Sequence, residues 1–441
     1  MSLRLLEGSF WTGPPPDPQT PLEGEARADV AVVGGGLTGL ATALALREAG
    51  VDVAVVERDF CGSGASGRNA GHLTPTIGKD LPTLVRLFGE ARASAFARFA
   101  DRAVGCAEDL IRRHAIACDY VASGNVLAGL HPRQRARLER AAEAAARLGA
   151  KVAFLDEGEV RRRELPACVR FGVLEERGGT LDPGKLVRGL RAAALAAGAR
   201  VYEGSEVRTI APGRTPRIET GGGSLRADRV VVATNAYTPA TLGWLRHRVV
   251  PLRVTLFATH PLSDAARAGL GWSGREGLYT AHEILESWRL TADGRLVGGS
   301  RWVRYAYGSA LADGASPRLL RRLAGLLAER FPGLDAPIDA FWGGWIGTTL
   351  DFLPVFATRG RHANLHTGLA YNGHGVAQAC LFGRLLADAA LGRESEDTEL
   401  FARRGIPLPP EPLRWLLARG ILGSLALVDA LTDRAIRRLR A

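Results

Sequence analysis

Methionine and lysine are almost missing from this chain of 441 residues, which has one Met and only Lys79, Lys151 and Lys185. The formal net charge of +11 is therefore carried by arginine. A basic stripe interleaved with aromatics, as nucleic-acid binding requires, is absent; the dense runs are "RRR" at 161–163 and "RAIRRLR" at 434–440. A nucleic-acid partner is thus excluded. Cysteine is also scarce, and Cys61, Cys106, Cys118, Cys168 and Cys380 form no CxxC pair. That spacing argues against a zinc site or a disulfide framework and fits a reducing compartment. No metal-ligand cluster and no nucleophilic triad stands out, so difficult chemistry would have to come from a bound cofactor. The opening "MSLRLLEGSFWTGPPPDPQ" lacks the apolar core of a signal peptide. Nor does any run reach the roughly 18–20 apolar residues of a membrane span. A soluble, cytoplasmic protein without integral membrane association is the expectation, its oligomeric state left open.

What the chain does have is glycine at telling places. In "ADVAVVGGGLTGLATALALREAGVDVAVVERD" (28–59) a continuous apolar run reads as a buried parallel strand. A helix over 37–49 follows, then a second strand. This βαβ context gives the glycines meaning. Gly34 permits the tight turn, Gly36 lets backbone approach a pyrophosphate beside Leu37 and Thr38, and Gly39 lets helix and strand pack closely. Glu57, at the end of the second strand, suits both hydroxyls of an adenosine ribose and repels a 2′-phosphate. Nicotinamide and flavin enzymes share this opening. The next segment, "GSGASGRNAGHL" (62–73), favours flavin, because a second glycine loop can wrap an extended cofactor where a simple dehydrogenase continues with another αβ unit.

Further along, residues 10–27 read as a Pro-rich extended arm, 81–117 as helical with Leu84, Phe88, Phe96, Phe99 and Ala103 at helical spacing, and 132–148 as a helix. The helix "PGKLVRGLRAAALAA" precedes strands at 198–207 and 228–239. The block 249–304 is β-rich, with a hairpin turn at Asp293-Gly294. A leucine-striped helix spans 317–331, and strand, glycine-loop and helix patterns return near the end. With 46% apolar residues the chain suits two packed domains, here interleaved in sequence. The expected parts are a nucleotide domain from 28–80, 178–240 and 340–393, a substrate domain from 81–177 and 241–339, and a helical tail over 394–441. Within the tail, "LRWLLARGILGSLALVDAL" (413–431) could be a membrane-surface helix, but Gly420 and Gly423 interrupt it, so a tail docked on its own body is favoured.

The order of these motifs resembles the FAD-dependent family that includes D-amino acid oxidase, glycine oxidase, sarcosine oxidase and gamma-glutamylputrescine oxidase, with the last as the nearest type. The resemblance rests on "GGGLTG" with Glu57-Arg58, "GASGRNAG" (64–71), "LDPGKLVRGL" (181–190), "VVVATNAYTP" (230–239), "RLTADGRLVGGS" (289–300), "WIGTTLDFLPVF" (345–356) and "YNGHGVAQA" (371–379), and runs from about 10 to 395. It implies an α/β fold of mixed α+β character, with a Rossmann-like FAD-binding domain interleaved with a β-rich substrate domain in the glutathione-reductase manner. It also implies FAD as cofactor. Gly34, Gly36, Gly39, Glu57 and Arg58 would hold the ADP half, and Gly64, Ala65, Ser66, Asn69, Ala70 and Gly71 the stretch towards the flavin. Val207 would flank the adenine, Ala233 and Thr234 would sit near the cofactor, and Gly373, His374, Gly375 and Val376 would bring a helix N-terminus to the flavin pyrimidine ring.

Tyr371, Trp345, Arg289 and His72 fall in segments that should border the substrate. Relatives acting on α-amino acids carry an Arg-Pro pair where this chain has Ile346 and Gly347, and that arginine clamps the substrate carboxylate. The expected activity is therefore oxidation of a primary or secondary amine by hydride transfer to flavin, with O2 as acceptor and imine or aldehyde and H2O2 as products. Two alternatives remain: an amino-acid oxidase, or a dehydrogenase passing electrons to a quinone or carrier, and a non-catalytic assembly factor that keeps FAD structurally.

Overall fold

The computed structural model of the chain describes residues 4–238, 242–403 and 405–440. Strand β1 (Gly24–Val33), helix α1 (Leu37–Glu48) and β2 (Val53–Val56) form the opening unit. The helical stretch after it is broken at Gly89, whose φ of +82° ends the helix Leu81–Phe88 and starts α2 (Glu90–Arg113). Next come β3 (Asn125–Gly129), β4 (Val152–Leu155) and β5 (Phe171–Glu175), then α3 (Pro183–Ala196), β6 (Arg200–Tyr202) and β7 (Gly223–Val232). The strand expected at 228–239 starts earlier and ends at Val232. Asn235, at φ +48°, turns the chain and its Oδ1 accepts the Ala370 N–H at 3.0 Å. Position 239 and the expected boundary at 240/241 lie outside the described residues.

The long strand β8 (Val250–Pro261) leads into β9 (Gly277–Thr280), β10 (Glu286–Leu290), β11 (Arg295–Ser300) and the short β12 (Arg304–Tyr305). Helix α4 (Pro317–Arg330), β13 (Ile338–Thr348), β14 (Val355–Arg359), β15 (Leu365–Leu369), α5 (Gly375–Ala390) and α6 (Leu413–Arg440) complete the chain.

Two large sheets result. The first runs β14-β15-β7-β1-β2-β6, parallel except for β14, with the short strands Arg217–Glu219 and Thr209–Ala211 added antiparallel beside β7. Both faces are covered: Val30, Val32, Val53 and Val55 pack towards α1 and α5, while Ala31, Val33, Ala54 and Val56 pack on the other side. This is why the strands read as unbroken apolar runs. The second sheet runs β12-β8-β11-β10-β9-β3-β5-β4, with β13 also paired to β8. The 249–304 block therefore stays out of the nucleotide sheet.

Two expected boundaries move. Residues 340–348 belong to the substrate sheet, because β13 pairs with β8 from Val250↔Thr348 to Thr259↔Ile338. Helix α2, placed by sequence in the substrate half, packs on the nucleotide half instead. Its Phe99 lies 5.6 Å from Phe382 of α5 and 4.7 Å from Phe401 between ring centroids. The aromatic stripe was legible; its partner was not.

At the end of β5, burial raises the Glu175 carboxyl to about 7. An acid raised in the folded state favours folding in its protonated form. Stability should therefore fall as pH rises from the ordinary carboxylate value towards 7, by on the order of 3 kcal/mol. Glu175→Gln is expected to remove this slope, so that its melting temperature exceeds that of the parent at pH 8 but not at pH 5. Parallel slopes in a pH series of thermal melts would refute the assignment.

Helix α6 is docked by charge. Arg301 donates to Asp429 (2.9 Å) and Asp433 (2.8 Å), and Arg330 donates to Glu286 (2.8 and 2.6 Å) and Asp433 (2.8 Å). Asp429 also accepts the backbone N–H groups of Glu283 (2.7 Å) and Ile284 (2.9 Å). His282, Glu286 and Asp433 are close enough together to surround a cation, but the two guanidiniums already neutralise the acids. The favoured tail, docked on its own body, matches this inner face only. By length and composition only, α6 passes as a membrane-crossing helix over Leu413–Leu439, and that stretch is hardly buried.

Candidate active site

A cavity of about 610 Å³ opens between the two sheets. Its nucleotide-side wall is made by Gly34, Gly36, Leu37, Thr38, Glu57 and Arg58, by Gly64, Ala65, Ser66, Asn69 and Ala70 of the second glycine loop, and by Val207, Ala233 and Thr234. Gly373, His374, Gly375 and Val376, at the start of α5, close that side. Nearly all the cofactor positions expected from the sequence thus share one wall. Gly39 and Gly71 lie behind it. A Cβ at Gly39 would stand 1.9 Å from the Gly34 carbonyl oxygen, and the Gly71 carbonyl accepts from Leu181 N–H at 2.9 Å.

Glu57 is buried, and burial raises its pKa. One carboxylate oxygen accepts the Gly35 N–H at 2.7 Å and the other the Asp59 N–H at 3.2 Å. A carboxylate has about four lone-pair sites, so acceptor capacity remains on each oxygen. The first turn of α5 has no side-chain cap, so its N–H groups present partial positive charge to the cavity.

Tyr371 borders the cavity and is held by a 2.8 Å hydrogen bond between its hydroxyl and Thr38 Oγ1. His72 borders it too. Asn125 donates its amide to Leu73 O at 2.9 Å, so its Oδ1 faces His72 Nδ1 at 3.1 Å and fixes the proton there. His72 Nε2 is left as a buried acceptor without a partner, and burial lowers the imidazole to about 4. The ring is therefore neutral at physiological pH.

Two expected substrate residues do not reach the cavity. Pleating of β13 turns Gly344 and Ile346 inward and Trp345 to the other face, where it packs with Ala236 and Ala306 and lies 5.3 Å beneath the Arg304 guanidinium. Arg289 sits behind the second glycine loop, donating Nε–H to Ala70 O, with its guanidinium 4.6 Å over the Trp11 ring. Burial pulls its pKa down to about 10. It braces the loop and is not available to a substrate carboxylate.

The substrate-side wall was mostly missed. Leu252, Val254 and Leu256 of β8 line it at every second position, a period visible in "PLRVTLFATH". Tyr279, Ser287, Lys79, Phe352, Glu283 and the α6 residues Ile421, Leu422 and Leu425 also border the cavity, and no local motif marks them.

The wall fits a large polar cofactor. Asn372 Nδ2, beside the start of α5, is buried there without a hydrogen-bond partner, whereas buried polar groups normally have one, and Glu57 keeps acceptor capacity on the same side. A family model described as FAD dependent oxidoreductase matches residues 29–389. The chain belongs to that family. This FAD-dependent oxidoreductase is 33% identical over 388 residues to gamma-glutamylputrescine oxidoreductase of Escherichia coli strain K12, covering 87% of this chain and 88% of the relative. Glycine oxidase of Geobacillus kaustophilus has a similar structure, with a TM-score of 0.71 at 24% identity over 86% of this chain and all of that one. L-proline dehydrogenase of P. horikoshii aligns with a TM-score of 0.72 at 18% identity, over 86% and 97% of the two chains. The cofactor of the FAD-dependent oxidoreductase described here is FAD, and the protein is an enzyme.

Proposed function

We propose that the enzyme oxidises the C–N bond of a primary or secondary amine whose reacting carbon bears no carboxylate, with dioxygen as electron acceptor. The observation that carries this reading is the substrate-side wall, where Ile346 faces the cavity; among the described residues the arginines that border it are Arg58 and Arg68. The cavity-lining arginines are engaged elsewhere: Arg58 lies 4.6 Å over Tyr237, and Arg68 pairs with Asp313 at 2.9 Å. The relative at 33% identity is named for gamma-glutamylputrescine, in keeping with an amine.

In this reading Glu57 would hold the ribose hydroxyls, the second glycine loop the pyrophosphate, and the N–H groups at the start of α5 the flavin end of FAD. When bound, FAD would supply the hydride acceptor, with dioxygen as the oxidant that takes up the two electrons and two protons to give H2O2. The protein's part is to present the amine in its neutral form. An alkyl amine has a pKa of about 10.4, and a site walled by Leu252, Val254, Ile346 and Tyr371 disfavours its charged form. His72 Nε2 accepts an N–H of the neutral amine and orients the nitrogen lone pair. As hydride leaves carbon, that lone pair forms the C=N bond. Water then hydrolyses the imine to an aldehyde and ammonia or a smaller amine.

The test is an anaerobic panel of mono-, di- and polyamines against glycine, sarcosine and D-alanine, following flavin bleaching and then, with air, peroxide. Amines should bleach the flavin with a rate that rises with pH. Efficient reduction by amino acids alone would overturn the reading and point to Lys79 as the carboxylate partner. Bleaching without peroxide would replace dioxygen by another acceptor.

A further inference from the structure

We propose that the outward face of α6 seats this enzyme on an anionic lipid surface. The helix has two unlike sides. Its inner side is fixed by Asp429, Asp433 and the buried Ile436. Its outer side carries Leu413, Leu416, Leu417, Leu427, Val428 and Leu431, each exposed, Leu427 at 64%. At 1.5 Å per residue, positions 413–431 span about 28 Å, an interrupted ridge with an apolar group at each end and Gly420 and Ser424 between them on the same face. Ridges of this extent are rarely left to water by a soluble fold.

The charges say what covers the ridge. The acidic residues of α6 are Asp429 and Asp433, and both are turned inward onto Arg301 and Arg330. Its exposed charges, Arg419, Arg434, Arg437 and Arg438, are all positive; Arg437 pairs with Glu329 at 3.0 Å, and the other three flank or follow the ridge. A second copy of this helix would bring arginines against arginines with no acid to answer them, which disfavours a two-fold contact between copies. An anionic bilayer meets both features, taking up leucines below the headgroups and pairing arginines at them. The helix lies on the membrane and does not cross it. Crossing would carry Asp429 and Asp433 into hydrocarbon and break the buried ion pairs that dock α6.

The experiment is flotation of the FAD-loaded, full-length enzyme with vesicles of phosphatidylcholine alone or mixed with phosphatidylglycerol. The parent should float with the anionic vesicles and release as salt is raised. The combined Leu416→Glu, Leu427→Glu and Leu431→Glu variant should stay at the bottom while keeping its flavin and melting temperature. Arg419→Gln, Arg434→Gln and Arg438→Gln together should weaken binding to the anionic vesicles by about a hundredfold. Failure of the parent to float, or flotation indifferent to the leucine changes, would overturn the proposal. So would a dimer, seen by light scattering, that only the leucine variant dissociates; the ridge would then belong to a second copy.

Discussion

Gly39→Ala should yield protein with no bound flavin and a disrupted nucleotide half. The added methyl would stand 1.9 Å from the Gly34 carbonyl oxygen and 3.2 Å from Val32 Cγ1. Both belong to the strand–turn unit that α1 must touch, so neither can swing aside. Ordinary overpacking costs about 1–3 kcal/mol, and a clash with fixed backbone costs more. Gly36→Ala should fold, because its methyl meets only the Ser66 hydroxyl at 2.8 Å, but it should lose FAD, since the methyl fills the space through which a pyrophosphate would approach. Glu57→Ala should fold but retain FAD weakly, since lost hydrogen bonds to a charged group cost about 1.5–3 kcal/mol each. The ratio of flavin to protein absorbance, read beside circular-dichroism melts, separates the three variants. A Gly39→Ala protein that is yellow and melts normally would show that helix and strand need not approach so closely.

Glu286→Leu should cost about 3–5 kcal/mol and release α6. Glu286 is fully buried and receives two hydrogen bonds from Arg330, itself 2% exposed. Removing the acid leaves a guanidinium desolvated with only part of its compensation. The combined change Glu286→Leu with Arg330→Met should recover only part of the loss, because Asp433 then keeps Arg301 as its one guanidinium partner. Thermal melts give the stability, and protease cleavage near residue 410 reports the freed helix. Equal damage in single and double variants would mean that packing volume, not charge, holds this junction.

The nucleotide wall was legible because its residues are bound to local geometry. Gly34, Gly36 and Gly39 are required by one strand–turn–helix, and Glu57 follows at a fixed distance along the next strand. The substrate wall depends on how distant segments meet. Tyr279 and Ser287 reach the cavity only through the register of β9 and β10 with their neighbours. Trp345 was misplaced for a related reason: a motif gives the segment, but the pleat decides which neighbour faces inward, and here it is Ile346. Helix α6 shows a third limit, since its inward acids are explained by Arg301, Arg330 and the backbone N–H groups of Glu283 and Ile284, all more than 90 positions earlier in the chain.

The interleaving of the two halves also sets a schedule for synthesis on the ribosome. Strand β1 emerges first, yet its neighbour β7 spans residues 223–232, and β7 is covered only when Leu365 pairs with Val230. The opening βαβ unit must therefore wait, apolar faces exposed, while most of the substrate half is made. Long-range pairings of this kind are slow to form and vulnerable to aggregation meanwhile. The α5 N-terminus that completes the nucleotide-side wall of the cavity comes later still, at residue 375. Cofactor capture is thus a late event in the life of each nascent chain, and a supply of chaperones should govern the yield of yellow protein more than a supply of FAD.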